Sequence, residues 1–139
     1  MVLVRSVGIN TWENEIMGMN LTVAPIRHYE NNNWWLAHTR IDFERNYEIF
    51  AQISGEHGRD KSAQVLQPIP LPPTVKFDWY EDSGLLTRIE DSYGGKLTYV
   101  VANDFHTVYI PANTGIWNRR LIEFLRGLPA QMPVVLWWH

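Results

Sequence analysis

Two stretches of helical periodicity stand among short alternating or apolar runs. Phe43, Tyr47, Phe50, Ala51 and Ser54 recur at three- and four-residue spacing. Ile49 and Ile53 widen that stripe to half a helix, and Glu44, Glu48 and Gln52 form its wet side. Asp42 is the expected cap, because its carboxylate can accept from free backbone N–H groups in a first turn, and Gly55 is the expected stop. A second helix is expected at Ile116–Arg126, with Ile116 or Trp117, Leu121, Phe124 and Leu125 on its buried face. Gly127 would cap it, and Pro129 prevents its continuation.

The β pattern surrounds these helices. Residues 20–29 carry Leu21, Val23 and Ile26, with Pro25 marking an edge or a bulge. An Asn-rich turn at 30–33 leads to residues 34–41 as the partner strand of a hairpin. Residues 75–80 alternate, and 85–93 read as a short helix or as a strand entering a turn at Gly94-Gly95, which favours a hairpin. Residues 97–102 and 106–110 are two further expected strands, and Pro133–Trp138, apolar on both faces, is expected at the centre of the sheet. Between helix and second half lies a long loop, 55–74, polar at first and then proline-rich; a loop of this length is often functional or mobile. The order predicts an α+β fold: a single domain over 17–139, with an antiparallel-dominated sheet and two main helices packed on one face. Residues 1–16 are weakly patterned and are expected to form a poorly ordered extension.

Composition narrows the function classes. The chain has 139 residues, 45% hydrophobic and 19% charged, with a net charge of −3. An acidic chain is a poor match for duplex nucleic acid, which is held by neutralising many phosphates. There is no Cys, so thiolate metal sites and cysteine nucleophiles are excluded. No apolar run approaches the roughly 20 residues of a membrane span, so no membrane partner is expected. Seven Trp, and nine Arg among twelve basic residues, suit flat anionic ligands: rings stack on bases and guanidinium groups fork onto phosphates.

No catalytic constellation is well formed. Residues 55–62 lack the Gly that a phosphate-binding loop needs before Lys-Ser, and Asp60 stands there instead. His38-Thr39 and His106-Thr107 lack the intervening residue that would put His and Thr on one face of a strand. His38, Asn46 and His57 do not follow the order of a His-Asn-His nuclease. Asp104 and His106 would share a face if extended, as two metal ligands or an orienting pair, but no third ligand is spaced with them. Neither a metal nor a cofactor is expected. Arg45, at the start of the first helix, either locks the hairpin to it or contacts an anion. The candidate ligand-binding residues are Arg59, Trp79, Tyr80, Asp104, His106, Thr107, Arg119 and Arg120.

The run Arg45-Asn46-Tyr47-Glu48-Ile49-Phe50-Ala51-Gln52-Ile53-Ser54-Gly55 resembles a helix of small, uncharacterised tailed-bacteriophage proteins. In that family, Arg-Asn-Tyr or Arg-Asp-Tyr precedes a Phe-Ala pair and follows a Trp-containing hairpin, as Trp34 and Trp35 do here. Asp104 to Ile110 and the terminal Val134 to Trp138 resemble later segments of it. The likeness covers residues 20–59 well and the rest loosely; the Pro-rich segment and the missing Leu-Thr-Leu depart from it. It implies a phage origin and, by analogy, a host-directed binding protein of the infected cell's cytoplasm. The expected partner is a host protein or a small nucleotide-type immune signal, and the chain is a possible homo-oligomer. The alternatives are a phosphodiesterase or nuclease using His106, or a virion or assembly component.

Overall fold

The computed structural model describes residues 19–32, 34, 39–75, 77–81, 84–88 and 90–139. The expected extension at 1–16, together with Trp35 and His38, lies outside them. The main sheet has five strands: β1 (Leu21–Pro25), β2 (Ile41–Asp42), β3 (Ile69–Pro70), β6 (Thr98–Val101) and β7 (Pro133–Trp138). Their order is β2-β1-β7-β6-β3, and every pairing is antiparallel. As its apolar sequence implies, β7 is central, with Val23 opposite Leu136 on one side and Val100 opposite Val134 on the other. A separate two-stranded ribbon joins β4 (Phe77–Glu81) to β5 (Gly84–Arg88).

Alternation along the strands divides the sheet into two faces. Leu21, Val23, Val134, Leu136 and Trp138 pack against both helices, α1 (Tyr47–Ile53) and α2 (Ile116–Arg126). Ile49, Phe50 and Ile53 come from α1, and Leu121, Ile122 and Leu125 from α2. Ala24, Ile26, Leu97 and Val135 form a smaller cluster on the opposite face, against Trp34, Tyr99 and Trp137. The molecule is thus an α+β domain with its two main helices on one face of the sheet.

Several local expectations are corrected. Helix α1 begins at Tyr47, not after Asp42: the Asn46 side chain accepts from the Ile49 N–H at 3.0 Å and is the cap. Asp42 belongs instead to β2, where its carboxylate accepts from the buried Thr22 hydroxyl. A strand interaction has taken a residue that local rules would assign to the helix. Ser54, not Gly55, closes α1. The pairing expected for 34–41 is confined, among the described residues, to Ile41 and Asp42. The strand expected at 106–110 is replaced by a 3-10 helix at Ala102–Thr107, because the Asp104 carboxylate turns back to accept from the Val101 N–H at 3.2 Å. The buried face of α2 is Asn118, Leu121, Ile122 and Leu125, and Ile116, Trp117 and Phe124 are exposed. The proline segment supplies edge strand β3, a position that needs no donated N–H from Pro70.

Two buried side-chain amides hold the layers together. The Asn118 amide accepts from the Glu44 N–H at 2.8 Å and donates to the Glu44 carbonyl at 2.7 Å. Gln52 does the same for Tyr109, at 2.7 and 2.8 Å. Each side chain satisfies a backbone pair that no strand completes.

Candidate functional site

The loop after α1 turns back sharply onto the helix. Gly58 donates to the Ser54 carbonyl at 2.9 Å and packs so closely on Ala51 that no side chain fits there. This turn lays the His57 ring flat on Trp138, with ring centroids 4.5 Å apart and planes 3° from parallel. His57 Nδ1 is also 2.7 Å from the Ser54 hydroxyl. Trp138 is itself fixed edge-on by Phe50 of α1.

The opposite wall is the turn at 91–96. The Asp91 carboxylate accepts from the backbone N–H groups of Tyr93 and Gly95, at 2.8 and 3.1 Å. Gly94 adopts a left-handed φ of 83°, which suits glycine. Tyr93 faces His57 across the opening, with centroids 6.4 Å apart and planes tilted by 58°. Between the walls lies a cleft of about 480 Å³, within the range of small-molecule sites. Lys61 and Lys96 line it with Gln64 and Thr98. Among the described residues, neither ammonium has an ion-pair partner.

Burial is the main cause that holds the His57 imidazole below its ordinary pKa, while Asp91 and Glu56 pull it back upward. The ring is therefore biased to its neutral form. Burial chiefly raises the Tyr93 phenol; Tyr47 and Asp91 reinforce the rise, and Arg45 opposes it. The cleft thus offers two neutral rings and two cations. Glu56 and Asp91 temper those cations, although the Asp91 carboxylate is already engaged by its own turn.

Of the residues singled out from sequence, Arg59, Asp104, His106, Thr107, Arg119 and Arg120 do not line this cleft. Arg59, in the adjoining loop, lies over the Tyr47 ring at 4.5 Å. Trp79 and Tyr80 belong to β4 of the separate two-stranded ribbon. Asp104 caps the 3-10 helix, Thr107 donates to the Asp104 carbonyl at 2.7 Å, and His106 is exposed. With this stretch helical, Asp104 and His106 are not the extended same-face pair. Arg119 reaches the carbonyls of Pro111 and Ala112, and Arg120 pairs with Glu123 at 2.7 Å. Arg45 donates to the Met19 carbonyl and the Asn20 side chain, tying the helix start to β1. Among the described residues, no three His, Asp or Glu side chains cluster as metal ligands, and no helix is long and apolar enough to cross a membrane.

Sequence reasoning did not single out Ser54, Tyr93 or Lys96 as site residues, and weighed His57 only in a nuclease order that it does not follow. The available signals were Ser54 and His57 at three-residue spacing past a helix end, and the glycines around them. A second relay, Asp42 to Thr22 to His139 Nε2 at 2.8 Å, sits at the sheet edge, but its hydroxyl is buried and it serves to pin the terminus. Comparison with family models, curated proteins and solved structures gives no match for this chain.

Proposed function

We propose that this chain is a non-enzymatic binding protein that takes a small, anionic, ring-bearing ligand of the nucleotide class into the cleft between 54–68 and 91–98. The observation that carries this reading is Lys61 and Lys96 lining the same 480 Å³ space as His57 and Tyr93. Ammonium groups attract phosphate, and aromatic faces stack on a base. The resemblance of residues 20–59 to tailed-phage proteins adds the setting: a host-directed factor that sequesters a nucleotide immune signal in the infected cell's cytoplasm.

The second reading is a hydrolase, and the 2.7 Å contact between Ser54 and His57 favours it. Three features weigh against it. Ser54 closes α1, where the helix dipole is negative and disfavours an oxyanion. The Ser54 N–H already donates to the Phe50 carbonyl, and the Gly55 N–H to Gln64. His57 meets the serine through Nδ1, and among the described residues no carboxylate accepts from its ring. A thermal-shift panel of mono-, di- and cyclic nucleotides tests the proposal, with chromatography of the ligand after denaturation. A raised Tm with ligand recovered intact is expected. No shift across the panel removes the binding reading, and altered products abolished by Ser54→Ala would establish the hydrolase.

A further inference from the structure

Helix α2 carries a second surface, facing away from the core and independent of the cleft. Ile116, Trp117 and Phe124 are 63%, 52% and 46% exposed; Ile116 lies opposite the buried face of Asn118, Leu121, Ile122 and Leu125, and the two rings lie on the flank beside Leu121. Such clustering of large apolar side chains on a surface marks an interaction site. The patch is shaped as well as apolar. Ile41, Trp117, Arg120, Leu121 and Phe124 enclose a hollow of about 210 Å³. Its aromatic wall is preset, because the Trp117 indole donates to the Asp42 carbonyl at 2.7 Å. A side chain held in place before binding loses little freedom on association.

The charges on this face say what covers it. Arg120 and Glu123 lie three residues apart and pair at 2.7 Å within one chain. When two α2 helices cross antiparallel about a two-fold axis placed midway between these residues, Arg120 meets the partner's Glu123 and Glu123 meets the partner's Arg120. The same axis sets Phe124 level with the partner's Arg119 and Arg120, at the mouth of the partner's hollow. One operation satisfies both charges twice and offers each hollow an aromatic ring. That self-complementarity is the property of an isologous contact. We propose that the α2 face is the interface of a two-fold homodimer, with Trp117 and Phe124 as its apolar anchors.

Sedimentation equilibrium over a concentration series tests this. The full chain is expected to pass from monomer to dimer. Arg120→Glu and Glu123→Arg, each at an exposed site, are expected to be folded monomers by circular dichroism, because each sets like charges against like across the axis. Mixed in equal amounts, they are expected to recover a dimer containing one chain of each kind, since the first then carries two carboxylates at the contact and the second two guanidinium groups. A foreign protein as the true occupant would leave the wild type monomeric at every concentration and overturn the proposal. So would single variants that dimerise like the wild type, or a mixture that stays monomeric.

Discussion

Replacing Asn118 by Ala removes the clamp between α2 and the segment entering α1. The Asn118 side chain is only 2% exposed, and both its hydrogen bonds go to one residue's backbone, at 2.8 and 2.7 Å. Truncation leaves a donor and an acceptor of Glu44 without partners. Each such group costs about 1–3 kcal/mol when water cannot reach it. Glu44 lies near the surface, so solvent entering the vacated space should relieve part of this. The expected loss is roughly 2–4 kcal/mol, or about 6–12 °C in Tm for a chain of this length. Thermal and urea melts by circular dichroism measure it. Asn118→Asp sharpens the test: its carboxylate can still accept from the Glu44 N–H but cannot donate to the Glu44 carbonyl. Burial would favour the protonated form, which regains a donor. The folded variant then binds more protons than the unfolded chain, so its deficit against wild type should shrink as pH falls. A loss below about 0.5 kcal/mol for Asn118→Ala, the range of an ordinary surface change, would refute the clamp.

Gly58→Ala would set a Cβ 2.6 Å from the Ala51 Cβ and nearer still to its backbone, forcing the loop off α1. A loss of at least about 2 kcal/mol in urea melts is expected, together with a weaker nucleotide-induced shift because His57 leaves Trp138. Acidification should destabilise the fold, because burial lowers the pKa of both His57 and His139 from the ordinary 6.5. The unfolded chain then takes up protons the folded one refuses, so stability is full above that value and declines as pH falls through the window below it. Melts at intervals from about pH 7.5 to about pH 5.5 should show this slope, and His57→Gln should flatten it. Phe124→Ala should weaken self-association in sedimentation while the monomer keeps its circular-dichroism spectrum, since that ring is exposed.

Helix α2 and strand β7 are legible in the sequence because their signals are local and agree with one another. Gly115 and Gly127 bracket an apolar periodicity, and an uninterrupted apolar run admits only a covered strand. The first helix is harder to delimit because Asp42 and Asn46 are both good caps. The choice falls to Asn46 through Thr22, which lies twenty residues before Asp42 and engages its carboxylate. Residues 106–110 are rich in β-favouring Thr, Val, Tyr and Ile, yet the 3-10 helix that Asp104 caps takes up His106 and Thr107. The outward side of α2 misleads for a related reason: Asn118 is buried by its bonds to Glu44, which rotates Trp117 and Phe124 toward solvent. The cleft depends on tertiary convergence of 54–68, 91–98 and the last strand, which no spacing rule contains. The long loop after α1 supplies part of the cleft wall, but its composition does not say which side chains meet there.

The central claim, that the cleft lined by Lys61 and Lys96 is the ligand site, is tested most directly by calorimetric titration of one nucleotide. The ligand would be the panel member giving the largest thermal shift, titrated into wild type, Lys61→Glu, Lys96→Glu and Arg119→Gln. Each lysine reversal should weaken binding at least about tenfold, the equivalent of one lost charge contact of about 1.4 kcal/mol, while Arg119→Gln binds like wild type. Unchanged affinity in both lysine variants, with loss in Arg119→Gln, would contradict the account and move the site to α2.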